Sequence, residues 1–187
     1  SKVVYWEGYT LREHTLMVMT QFGKYFKDQS LPIDAKFFEF ILALHDIGKP
    51  KAYSEGNKNN QYTYTIEIIR PVLTQLKFSL EQIALAVSLI SDNFLGDFIK
   101  GEVNVLVAAQ RIIDMAKNAG IDVAQFWELL KIYYQVDAGS YTRDAGSPDG
   151  EFDFLFSFDS KHKKMSFSGQ ASKYIKQLWA KIQEVSK

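Results

Sequence analysis

The chain has no cysteine and three histidines, at positions 14, 45 and 162. Lack of a thiol excludes disulfides, Cys-ligated zinc, iron–sulfur clusters and a thiol nucleophile together. A transition-metal site must then be built from imidazole and carboxylate. His14 lies on a stripe of Leu11, Val18, Phe22, Tyr25 and Phe26 at helical spacing, one turn after Leu11, so it points inward. His45-Asp46 closes a second apolar segment. Asp137 ends a face made of Val123, Phe126, Trp127, Leu130, Tyr133 and Tyr134. An ionised carboxylate in such an interior is costly unless it is paired or bound to a cation. Two imidazoles and two carboxylates would make a mixed nitrogen and oxygen site with room for water. That set suits Mn, Fe, Co, Ni or Zn, and Mg less comfortably. A lone inward histidine is more often a hydrogen-bonded core residue than a ligand, and it is the company of His45, Asp46 and Asp137 that gives His14 a second meaning. His162, inside Lys161-His162-Lys163-Lys164, reads as a solvated turn residue.

The helices that would carry these groups are marked locally. Thr10-Leu11-Arg12-Glu13 has the form of a capping box and predicts a helix start before His14. Pro32 and Asp34 punctuate the next start, and Phe37 to Leu44 is apolar nearly all round, as a buried helix is. It ends in His45-Asp46-Ile47-Gly48-Lys49-Pro50, with Gly48 and Pro50 as stop signals. Lys51 to Gln61 is polar and reads as a surface loop, a candidate lid. Residues 62–76 mix strand propensity with a helical continuation at Val72, Leu73 and Leu76, and are assigned to helix. Ser79 with Gln82 caps a helix from Leu80 to about Ser91, Gly96 and Gly101 bracket a connection, and Glu102 to Asn118 is a helix closed by Gly120. Asp122 with Gln125 caps the helix that carries Asp137. After a loop over 138–150, Phe152, Phe154, Phe156 and Phe158 alternate with Asp153, Leu155, Ser157 and Asp159. With Met165 to Phe167 they predict a hairpin. Ala171, Tyr174, Ile175, Leu178, Trp179, Ile182 and Val185 form the stripe of a final amphipathic helix. The fold class expected is mainly α: one domain over 1–187, a helical bundle with its core at about 10–140, a small C-terminal β-hairpin at 151–168 and a last helix at 170–186.

A hydrophobic fraction of 47% and a charged fraction of 24% suit a single globular domain and rule out a disordered tail. With 14 Phe, 10 Tyr and 3 Trp the core has ample bulk. Lys plus Arg and Asp plus Glu are 22 each, so the overall balance predicts neither a nucleic-acid wrap nor a polybasic membrane anchor. The balance hides a local asymmetry: 137–159 is acidic apart from Arg143, whereas 161–187 carries lysines against the single Glu184. No apolar run reaches the length of a membrane span and SKVVYWEGYT lacks the apolar core of a signal peptide, so the expected location is the cytoplasm. The chain opens with Ser, as a processed product or excised domain would.

His14 in a first helix, His45-Asp46 closing a second and Asp137 near the end of a later one resemble the H…HD…D pattern of the HD-domain metal-dependent phosphohydrolase superfamily. The string from His45 to Pro50 is similar to the version in several bacterial branches, including the HD domain attached to some tRNA nucleotidyltransferases. The resemblance covers roughly residues 10 to 140. It implies an all-helical bundle of the HD type, a divalent metal held by His14, His45, Asp46 and Asp137, and hydrolysis of a phosphate ester in a nucleotide or similar phosphorylated small molecule. A metal-bound water would serve as nucleophile. Asp46 would bind the metal and orient that water, and Lys49, one turn on, would meet a phosphate oxygen as a point charge. Arg12, Arg143 and Asp92 are further substrate candidates, with Tyr141 and Asn93 behind them. The chain departs from richer family patterns: no histidine lies between Asp46 and Asp137, which favours one metal over two, and Glu55 is the only nearby stand-in for a water-activating glutamate. These departures leave a second reading open, an HD-type module that binds ligand without turnover, and a third, an interaction domain using the last helix. The sequence leaves oligomeric state open.

Overall fold

A computed structural model describes residues 3–5 and 7–187; Trp6, one of the tryptophans counted toward core bulk, lies outside them. The capping box at Thr10 forms as the sequence dictates, with the Thr10 hydroxyl accepting from the Glu13 amide and the Glu13 carboxylate accepting from the Thr10 amide, and it opens α1 (Leu11–Tyr25). Asp34 caps α2 (Ala35–Leu44) through the Phe37 amide. There the chain corrects the expected surface loop. Lys49 and Pro50 open a short α3 (Lys49–Ser54), and a 3₁₀ turn (Lys58–Asn60) leads directly into α4 (Gln61–Gln75). Pro50 stands in the first turn, where a missing N–H costs nothing, so the residue read as a stop is also a start.

Ser79 and Gln82 make the second capping box, opening α5 (Leu80–Ile90). The expected connection around Gly96 is instead α6 (Phe94–Lys100), closed by Gly101 in the left-handed region at φ 80°. The following helix, α7 (Val105–Ala119), starts later than the apolar pattern suggested because Asn104 accepts from the Leu106 and Val107 amides. Asp122 caps α8 (Val123–Gly139). The stretch Leu80–Lys100 is long and apolar enough by composition to cross a membrane, contrary to the sequence reading. It is divided at Ser91–Asn93, however, and more than half of it is packed inside the fold.

The period-two phenylalanine pattern is only half strand. Residues 153–155 curl into a 3₁₀ turn because Asp153 is drawn back onto Arg143, accepting from its amide at 2.8 Å and from its guanidinium at 2.9 Å. Phe154 is consequently exposed and Leu155 buried. The hairpin proper is β1 (Phe156–Asp159) against β2 (Lys164–Phe167), antiparallel with Phe156 opposite Phe167. It rests on α8, where Tyr134 stacks on Phe167. The last helix, α9 (Gly169–Val185), packs on α7, and its Trp179 stacks on Trp127 of α8 at 6.0 Å between ring centroids. Buried side chains from Val18 to Ile182 form one apolar cluster, so this mainly α body shares a single core.

One polar knot ties α1 to the chain beyond α8. Asp144 accepts from Lys24 at 2.7 Å, Tyr25 at 2.8 Å and Gln21 at 3.2 Å. Burial opposes the carboxylate, yet these donors and the Lys24 charge hold its pKa below the ordinary value. Asp144→Ala is expected to cost about 1–3 kcal/mol, read as a lower urea midpoint at neutral pH. Because the folded pKa is depressed, the contribution is complete above the ordinary carboxylate range and fades as pH falls through the folded value. The gap between wild type and variant should therefore narrow below about pH 4.

Candidate metal centre

Three helix ends build the centre. The first turn of α1 carries His14, and the capping box fixes where that turn begins. His45 is the C-cap of α2, with Asp46 next, and Asp137 lies in the last turn of α8. The C-termini of α2 and α8 both present the negative ends of their dipoles, so two carboxylates placed there require a cation. His14, His45 and Asp46 are 3%, 3% and 6% exposed. One ligand atom each from His14, His45 and Asp137 lies within 4.8 Å of the others, a group that could hold a metal ion.

The hydrogen bonds around the rings decide what they offer. His45 Nδ1 is 2.6 Å from the Leu42 carbonyl, which can only accept, so Nδ1 carries the proton and Nε2 keeps its lone pair. The Ser140 hydroxyl gives its proton to the Asp137 carbonyl at 2.6 Å, so it accepts from His14 Nδ1 at 3.3 Å. His14 Nε2 is then a lone pair too. These two nitrogens face each other at 3.2 Å. Asp137 Oδ1 stands 3.1 Å from His14 Nε2 and 3.3 Å from His45 Nε2. Asp46 Oδ2 stands 3.1 and 3.5 Å from the same pair. With both imidazoles neutral, four acceptors thus converge with no donor among them. Four ligands at the usual nitrogen and oxygen distances around a tetrahedral ion would be roughly 3.3–3.6 Å apart, close to the spacing of every pair here that includes an imidazole. Backbone and hydroxyl partners that orient ligating imidazoles are the usual support of such a site.

Without an ion, a proton does the same work. Burial disfavours a charged His14, but hydrogen bonds to Asp137 and Asp46 outweigh it and raise its pKa to about 9. Burial likewise opposes both carboxylates, and the histidines around Asp137, with His45 and Lys49 around Asp46, hold them well below the ordinary range.

Above the centre opens a cleft of about 140 Å³. One face of α8 and its continuation, Tyr133, Tyr134, Asp137, Ala138 and Tyr141, forms a wall. Tyr141 stacks on His14 at 5.0 Å and Tyr133 meets His45 edge-on at 5.9 Å, so rings clamp both imidazoles. Burial, reinforced by Asp137, pushes both phenols upward, keeping them neutral donors.

Of the residues named from sequence, His14, His45, Asp46 and Asp137 come together. Lys49 adjoins them but is 5% exposed and held between Asp46 at 2.6 Å and Glu7 at 3.3 Å. Asp92 and Asn93 line the cleft, Asp92 pairing with Arg111. Arg12 is exposed on α1, and Arg143 is bound to Asp153 and the Asp149 carbonyl, neither of them lining the cleft. Glu55 bonds the Tyr64 hydroxyl, and His162 is exposed beside Asp159. Sequence reasoning missed Glu7, Lys58, Gln61, Tyr62 and Lys100, all of which line the cleft. Glu7 binds Lys58 at 2.7 Å as well as Lys49, a long-range bridge for which no local pattern gives a signal. Compared with family models, curated proteins and solved structures, the chain has no match.

Proposed function

We propose that this chain is an HD-type, metal-dependent phosphohydrolase that cleaves a phosphate ester of a nucleotide or similar small molecule. The observation that carries the reading is the pair of imidazoles whose Nδ1 protons are committed elsewhere, leaving both Nε2 lone pairs aimed at two carboxylate oxygens on the floor of a polar cleft. His14, His45, Asp46 and Asp137 would hold a single divalent ion. When bound, such an ion lowers the pKa of water toward neutrality and polarises a phosphoryl oxygen. Lys49 steadies Asp46 by direct ion pairing, so its part is to fix that carboxylate before it meets a phosphate. Tyr133 and Tyr141 hold the imidazole planes in place. Lys58 and Lys100 bring positive charge to the cleft for an anionic substrate.

Protein stripped of metal and resupplied with Mn, Co, Ni or Mg is expected to release phosphate from at least one ester in a panel, and His45→Ala to lose that turnover. No release with any metal would overturn the reading. The engagement of Lys49 by Asp46 and Glu7 favours, as second reading, a module that binds its ligand without turnover. Tight binding of a phosphate ester by calorimetry without product would select it.

A further inference from the structure

The cleft above the metal centre does not end at its mouth. It continues into an outer chamber of about 490 Å³ between the start of α4 and the α5–α6 connection, and Lys58, Gln61, Tyr62, Asp92, Asn93 and Lys100 line both. At about 140 Å³ the inner chamber is below the usual range for a complete small-molecule site, roughly 300–1,000 Å³. With the reacting phosphoryl group beside the centre, a substrate that runs on from it enters the outer chamber. The added lining there is Asn59, Thr63, Ser91 and Asp97. Amides, hydroxyls, carboxylates and ammonium groups dominate, with Tyr62 as the only ring among its described lining residues. In the outer chamber a nucleobase would lack the flat faces on which bases stack; the other phenol and phenyl rings of the cleft, Tyr133, Tyr134, Tyr141 and Phe152, all line the inner chamber.

At the junction sits Gln61, 7% exposed, with its Oε1 buried and lacking a hydrogen-bond partner. An amide oxygen can only accept, so what satisfies it must be an O–H or N–H donor. Asn93, which lines both chambers, lies over Gly96, where a Cβ would come within 2.5 Å of its Oδ1, so glycine there leaves room for this amide.

We infer that the group esterified to the phosphate is a small polyol, making the substrate class a sugar phosphate, with Gln61 Oε1 accepting from a sugar hydroxyl where the two chambers meet. This rests on the phosphohydrolase reading and narrows it. In the reaction a water oxygen bonds to phosphorus, the P–O bond to the sugar breaks, and the sugar oxygen leaves with its electron pair and takes a proton. The products are inorganic phosphate and the free sugar, and no other reactant is needed.

The test uses the full chain loaded with Mn or Co. Phosphate release from ribose 5-phosphate, glucose 6-phosphate, AMP and p-nitrophenyl phosphate is measured together with calorimetric binding of ribose 5-phosphate and AMP. AMP, whose ribose carries the same hydroxyls, should fall below ribose 5-phosphate because its base finds little to stack on in the outer chamber. At least one sugar phosphate should exceed the aryl ester, which has no hydroxyl to offer Gln61, about 10-fold in kcat/KM, the factor a single well-placed hydrogen bond supplies. Gln61→Leu should remove that preference, chiefly through KM, with circular dichroism unchanged; if the variant does not fold, the wild-type preference decides. AMP or the aryl ester hydrolysed as efficiently as every sugar phosphate would overturn the inference and leave the hydrolase reading standing. If no ester is hydrolysed, the hydrolase reading fails, and calorimetry decides the inference: tighter binding of ribose 5-phosphate than AMP upholds a polyol phosphate site, and equal or no binding overturns it.

Discussion

His14→Ala and Asp137→Asn are each expected to reduce bound metal from about one equivalent to less than a tenth, measured by elemental analysis after loading with Zn or Mn and gel filtration. The expectation follows from convergence. Each side chain supplies an atom that faces two other groups of the set at 3.1–3.3 Å, so removing either opens the set on one side and leaves three of its four ligands. Ser140→Ala is the graded companion. Its hydroxyl only orients His14 from behind, and loss of such support typically weakens metal affinity roughly 10–100-fold without abolishing it. A series ordered wild type, Ser140→Ala, His14→Ala is what a metal site requires. Equal metal content across the series would mean the ion sits elsewhere, and none in the wild type would return the cluster to a proton-bridged core network.

That series can be designed at all because part of the centre is legible in the linear chain. Thr10 and Glu13, Ser79 and Gln82, and Asp122 declare helix starts within four residues, and a fixed start with a 3.6-residue period decides which way His14 and Asp137 point. What is not legible is whatever depends on a meeting between distant segments. Glu7 looks like any acidic residue of an N-terminal stretch until it is found between Lys49 and Lys58. Phe152 to Phe158 carries a strand's period, but the Arg143–Asp153 pairing takes its first half away from the ladder. Gly48 and Pro50 illustrate a different difficulty: signals that end a helix serve equally to begin one, and only the packing of α3 on α4 shows which use is made.

The same packing sets the second large effect, in Gly48→Ala. The backbone there is ordinary, at φ −81°, so alanine meets no conformational obstacle. The obstacle is space. A Cβ would lie 2.2 Å from the Thr65 amide nitrogen, 2.6 Å from the Gln61 carbonyl oxygen and 2.7 Å from Thr65 Oγ1. Residues 61 and 65 are one turn apart, so the added methyl would press on the backbone of α4, which cannot swing aside as a flexible side chain would. Their displacement would also break the bond from the Gly48 amide to Thr65 Oγ1 at 3.0 Å. Overpacking ordinarily costs about 1–3 kcal/mol, and a rigid helix backbone as the obstacle places this case at about 3 kcal/mol or above. For a chain of this size that is a fall in Tm of roughly 6–12 °C. Gly23→Ala supplies the contrast: it is exposed on α1 with nothing within 4 Å of a Cβ, so alanine should stabilise by about 0.5–1 kcal/mol. Because Gly48 closes the turn that presents Asp46 and begins the helix that presents Lys49, Gly48→Ala should also weaken metal retention at temperatures where the protein is still folded. A Tm within about 2 °C of wild type would show that α3 and α4 can separate cheaply, and the steric requirement for glycine at position 48 would fall.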